Sequence, residues 1–151
     1  IEKTYPKLCK WIKKRPNVML MLTFSSKPNY EIEKIGFYEK LVHKFSNPIS
    51  LHVHISDGLY SSPPPPLQDY KTQLRIIKHG LTRLRELGVE TIDFTSGNWN
   101  YNYDTFMVCK ELGLRRVHIK LKEIPRIVFE HGVPKGIELV PVVRHIHDYE
   151  V

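Results

Sequence analysis

Five short apolar runs, at residues 18–24, 49–55, 89–94, 114–121 and 137–143, alternate along this chain with stretches of helical period. Between the runs, residues 30–44, 67–87 and 103–112 read as helices, the longest placing Leu74, Ile77, Leu81, Leu84 and Leu87 three or four apart. A further helix at 5–15 precedes the first run and is closed by Pro16, while Gly88 and Gly113 stand where two of the helices should stop. Residues 122–131 read as a short helix broken around Pro125. Strand-then-helix units in series call for a parallel sheet covered by helices. An open sheet and an arc of a (β/α) barrel both satisfy that pattern, and in both a ligand gathers at the carboxyl ends of the strands.

Nothing in the 151 residues divides them, so a single α/β domain spanning 1–151 is expected. The longest uninterrupted apolar run, residues 18–22, falls far short of the ~20 residues a membrane span needs, so no membrane association is expected. The two cysteines, Cys9 and Cys109, are too few for a disulfide framework, which favours a reducing, cytoplasmic setting. Cys109 falls within a helical pattern and reads as a small core residue rather than a nucleophile. Charge is uneven: the net is +7, and residues 1–44 carry ten Lys and Arg against four Glu. Lys7, Lys10, Lys13 and Lys14 line one side of the first helix, opposite Leu8, Trp11 and Ile12. Such a stripe attracts nucleic acid or another polyanion; a solvated face on a basic protein is the plainer reading.

The chemistry concentrates in histidine. His52 and His54 alternate with apolar residues in the second run, which sets both imidazoles on one side of a strand, within reach of one metal ion. Zinc suits two nitrogen ligands, and a catalytic zinc takes a third ligand plus an open position for water. Asp57, in the Gly, Ser and Pro loop that follows, and Asp93, near the end of the third run, are the nearby carboxylates. The plainer alternative is that the two histidines face solvent or satisfy core hydrogen bonds. His145 and His147 repeat the spacing beyond the last run, as acid candidates or as a polar exit from the fold. Residues 98–103, rich in Asn, Trp and Tyr, offer either a carbohydrate platform or ordinary turn chemistry.

Several of these segments resemble the polysaccharide deacetylase-like family of NodB-homology type. ISLHVH at 49–54 resembles its "EIGLHxH" strand, FTSGNW at 94–99 its "FRAGxW" segment, TFMVCKELG at 105–113 the helix that follows, and VMLMLTF at 18–24 its second strand. The resemblance covers residues 5–143. LHVHISDG at 51–58 and residues 90–93 are also similar to the YdjC-like carbohydrate deacetylases. The resemblance implies a distorted (β/α) barrel that removes N- or O-acetyl groups from carbohydrate with a divalent metal, often zinc. It implies His52 and His54 as ligands and His145 or His147 as the acid. Two departures stand out: the aspartate-bearing first strand is not visible, which is expected to leave the domain N-terminally incomplete or degenerate, and Thr95 replaces the arginine of "FRAG". A non-catalytic binding module on the same scaffold is the alternative. A truncated sheet would expose strand edges and self-associate as a homo-oligomer.

Overall fold

A computed structural model describes residues 5–24, 28–55 and 69–143. Along the chain run α1 (Tyr5–Lys13), β1 (Leu20–Phe24), α2 (Pro28–Lys44), β2 (Ile49–Val53), α3 (Tyr70–Glu86), β3 (Asp93–Ser96), α4 (Tyr103–Glu111), β4 (Arg116–Lys120), α5 (Ile124–His131) and β5 (Glu138–Val142). The five strands form one parallel sheet in the order β1-β2-β3-β4-β5. The α/β class read from the alternation is what forms. Among the described residues no helix is long and apolar enough to cross a membrane.

Period two separates the two faces of the sheet. Leu22, Phe24, Leu51, Val53, Phe94, Val117 and Ile119 alternate onto one face and are all buried. Helix α3 packs on this face across β1 and β2, with α4 beside it. The closest approach is at Gly80, where a Cβ would lie 2.9 Å from Val53 Cγ2 and 3.2 Å from Leu51 Cδ1. Helix α3 is capped by Asp69, whose carboxylate accepts the Thr72 N–H, and that bond holds the carboxyl below its usual value. Gly88 and Gly113 follow α3 and α4 with φ of +78° and +76°, the left-handed stop that glycine supplies without strain.

Edges are handled locally. The outer edge of β1 is covered at Thr23, whose backbone N–H donates to the Tyr38 hydroxyl at 3.1 Å while that hydroxyl donates to the Thr23 carbonyl at 3.0 Å. Asn47 Nδ2 donates to the carbonyls of Arg15 (2.9 Å) and Val18 (2.8 Å), tying the turn before β1 to the turn before β2.

Three sequence expectations shift. The third strand begins at Asp93 rather than at 89, because the Thr91 hydroxyl donates to the Ile49 carbonyl (2.6 Å) and accepts the Asp93 N–H (3.0 Å), replacing ladder bonds there. Asp93 consequently opens its strand instead of ending it. Helix α5 is continuous, since Pro125 falls in its first turn, where no backbone N–H partner is needed. The last strand is not buried: Glu138 and Pro141 are exposed, and Pro141 is tolerated because, among the described residues, β5 pairs only with β4.

Two glycines in helices should respond in opposite directions to alanine. Gly80→Ala gains about 1 kcal/mol of helix propensity but drives a methyl into the stiff, buried Val53, an overpacking cost of about 1–3 kcal/mol. Gly36 has open space around its Cα. Urea unfolding should therefore place the Gly80→Ala midpoint below that of the parent protein and the Gly36→Ala midpoint above it.

Candidate functional site

The face opposite α3 carries the polar side chains. Pairing sets Thr23 beside His52 and His52 beside Thr95. The Phe94 to Val117 pairing, continued by one residue, brings Thr95 beside His118, which pairs in turn with Val140. One row across the sheet therefore reads Thr23, His52, Thr95, His118, Val140. The row toward the amino ends holds Met21, Ser50, Asp93, Arg116 and Glu138, and the row toward the carboxyl ends holds His54, Gly97 and Lys120.

Hydrogen bonds and charge knit the lower two rows. The buried hydroxyls of Ser50 and Thr95 lie 3.0 Å apart across β2 and β3. Thr95, which stands where the resembled family has arginine, is thus a neutral cross-strand link. Asp93 and His118, both about nine-tenths buried, join through carboxylate Oδ1 and imidazole Nε2 at 2.7 Å. Arg116 lies 3.7 Å from the same carboxylate oxygen and 3.5 Å from Glu138. A buried carboxylate with two cationic or proton-bearing neighbours is compensated, as burial of a charge requires. The arrangement fixes the imidazole ring plane of His118, the role a carboxylate plays toward a proton-transferring histidine.

His52 and His54 stand together on this face, with ring centres 5.1 Å apart and planes near perpendicular. His54 is packed against Gly97, where a Cβ would overlap its ring. Only glycine admits that approach, so the "SGNW" glycine serves to seat a histidine. Above it a 3-10 turn at Gly97–Trp99 holds both Asn98 and Trp99 at positive φ, +56° and +54°. Two consecutive left-handed non-glycine residues are uncommon and persist where surrounding structure over-determines them. The constraint comes from Tyr101, whose buried hydroxyl accepts the Ser96 N–H at 3.0 Å and donates to the His118 carbonyl. Burial pushes that phenol up, so it stays a neutral link between β3 and β4.

The aromatic and amide loop divides by role. Asn102 forms a capping box with Thr105, and Gln73 of α3 joins them, donating to Asn102 Oδ1 (3.2 Å) and accepting from Thr105 Oγ1 (2.8 Å). That half is turn chemistry. Asn98 and Trp99 instead line a cavity of about 1130 Å³ with His52, His54, Thr95 and His118, and the cavity reaches round the β1 edge to α1 and α2. Cys109 is buried in α4 and takes no part; burial pushes its thiol up, away from the nucleophilic form.

Of the residues singled out from sequence, the fold unites His52 and His54 at the cavity and pairs Asp93 with His118. Asp57, His145 and His147 lie outside the described residues. Among the described residues no three His, Cys, Asp or Glu side chains are gathered closely enough to hold a metal ion. His118 was not legible as a site residue, because it lies in an apolar run whose period says only which face it takes. Comparison of the chain with family models, curated proteins and solved structures gives no match.

Gly97→Ala tests the seating of His54. The added methyl should cost about 1–3 kcal/mol in urea unfolding as overpacking. In side-chain NMR spectra it should move the His54 ring resonances while those of His118, held by Asp93, stay in place.

Proposed function

We propose that this chain is an arc of a (β/α) barrel acting as a metal-dependent carbohydrate deacetylase, removing N- or O-acetyl groups. The observation that carries the reading is the convergence of His52, His54 and the Asp93-held His118 on one cavity over the polar face of a parallel sheet. Sequential order of parallel strands is compatible with a barrel wall, and the carboxyl side is where such folds keep their chemistry.

Two imidazoles fit a divalent ion by spacing. His52 and His54 would hold the ion, their ring centres lying 5.1 Å apart on one face of the sheet. Asp93 is engaged by His118 and Arg116, which favours a positioning role for it over ligation; Asp57, the other candidate carboxylate read from the sequence, lies outside the described residues. A bound zinc would supply Lewis acidity and a water of lowered pKa. The chain's own residues do the rest. His118, oriented by Asp93, would donate a proton to the sugar nitrogen or oxygen as its bond to the acetyl carbon breaks; the water's oxygen ends in acetate, and a proton from that water restores the imidazolium. Asn98 and Trp99 form the wall against which the sugar is held.

Calorimetry with zinc on metal-free protein should give one-to-one binding that the His52→Ala, His54→Ala double variant abolishes. With acetylated oligosaccharide as substrate, His118→Gln should lower kcat by about 10²–10⁴-fold, the usual worth of a positioned acid or base, while zinc affinity stays unchanged. Full activity in that variant, with loss in His145→Gln or His147→Gln, would return the acid role to the C-terminal pair that the family resemblance favours.

One observation supports the non-catalytic alternative. Lys7, Lys10, Lys13 and Lys14 all stand exposed on and just beyond α1, and none joins an ion pair among the described residues. If that face binds a polyanion such as nucleic acid, association should weaken steeply with salt, and the Lys10→Ala, Lys13→Ala, Lys14→Ala variant should flatten the dependence by about three in logarithmic slope.

A further inference from the structure

Charge along the polar side of β4 changes in a regular way. Arg116, at the amino end, is neutralised by Asp93 and Glu138. His118, in the middle, is matched by Asp93. Lys120, at the carboxyl end, has no carboxylate within ion-pair distance among the described residues; its ammonium lies 5.5 Å from the centre of the Trp99 ring. Lys122 follows it at the cavity rim. Every Lys, Arg, Asp or Glu lining the cavity among the described residues is a lysine, Lys120 or Lys122, and the three lining histidines add no negative charge. A half-buried ammonium in a cleft raises the local concentration of anions and pairs with them more strongly than an exposed one does.

Beside it, Asn98 lines the same cavity, and its buried Nδ2 makes no hydrogen bond among the described residues. A buried amide donor costs free energy until an acceptor arrives. The strained turn that carries Asn98 and Trp99 is what brings the amide, the indole and the Lys120 ammonium to one mouth.

We propose that the cavity selects an anionic carbohydrate, a sugar bearing a carboxylate as in a uronic acid. The carboxylate would pair with Lys120 and Lys122, and the pyranose would lie along the Asn98 and Trp99 side of the mouth. This deepens the carbohydrate reading above and rests on it for the sugar, but not for the metal.

The test is calorimetric titration of the full chain with a uronic-acid trisaccharide, its neutral counterpart and inorganic phosphate. The acidic trisaccharide should bind at least about tenfold tighter than the neutral one, the worth of one charge-assisted contact. Lys120→Gln with Lys122→Gln should bring the two sugars to equal affinity at an unchanged melting temperature. The preference should survive in the His52→Ala, His54→Ala variant, so that failure of the metal site and failure of this inference are separable. Equal binding of both sugars, no binding of either, or a preference that persists without the two lysines would overturn it. So would phosphate that binds as tightly as the acidic sugar, which would mark an anion site indifferent to carbohydrate.

Discussion

Burial of one face of the parallel sheet under α3 and α4 is the constraint on which the rest of this protein depends. Phe24, Leu51, Val53, Phe94 and Val117 can all be buried together only if each strand keeps its register and its facing. A slip of one residue would turn His52 or His118 into the helix layer and an apolar side chain out to the cavity. The hydrophobic packing on one side therefore assembles the polar row on the other. Gly80 marks how close the packing is, since α3 approaches β2 at a distance that no side chain would permit.

The polar face solves the problem of burying charge by pairing it in layers. Ser50 with Thr95 and Asp93 with His118 and Arg116 are cross-strand links, each joining residues that only the sheet brings together. Neutral links hold the upper edge: the Tyr101 hydroxyl bridges β3 to β4 without carrying a charge. Ion pairing among the described residues ends at the carboxyl edge of β4, where Lys120 borders the cavity beside Asn98. Strain collects at the same place, in the left-handed pair Asn98 and Trp99. Charge pairing lies in the lower rows and backbone strain at the rim.

Much of this was legible in the chain. The alternation of strand and helix periods gave the α/β class, and Gly88 and Gly113 stopped the helices they were expected to stop. His52 and His54 share a face because a strand of period two leaves them no other choice. Less legible were boundaries governed by single side chains. Thr91 delayed the start of β3 through two hydrogen bonds that no local pattern announces, and that shift moved Asp93 from the carboxyl to the amino end of its strand. Pro125 looked like a break because its position within a helical turn cannot be known before the turn is placed.

The sequence by itself determined which elements form and which side chains share a face, since both follow from the local backbone geometry of helix and strand. It did not decide that His118 would meet Asp93, that Gly97 would seat His54, or that the charge of Arg116 would be matched while Lys120 faced the cavity. Those are relations between strands 20 to 50 residues apart. They exist only once pairing order and register are set, and these are settled by the burial of the whole helix-covered face rather than by any one segment.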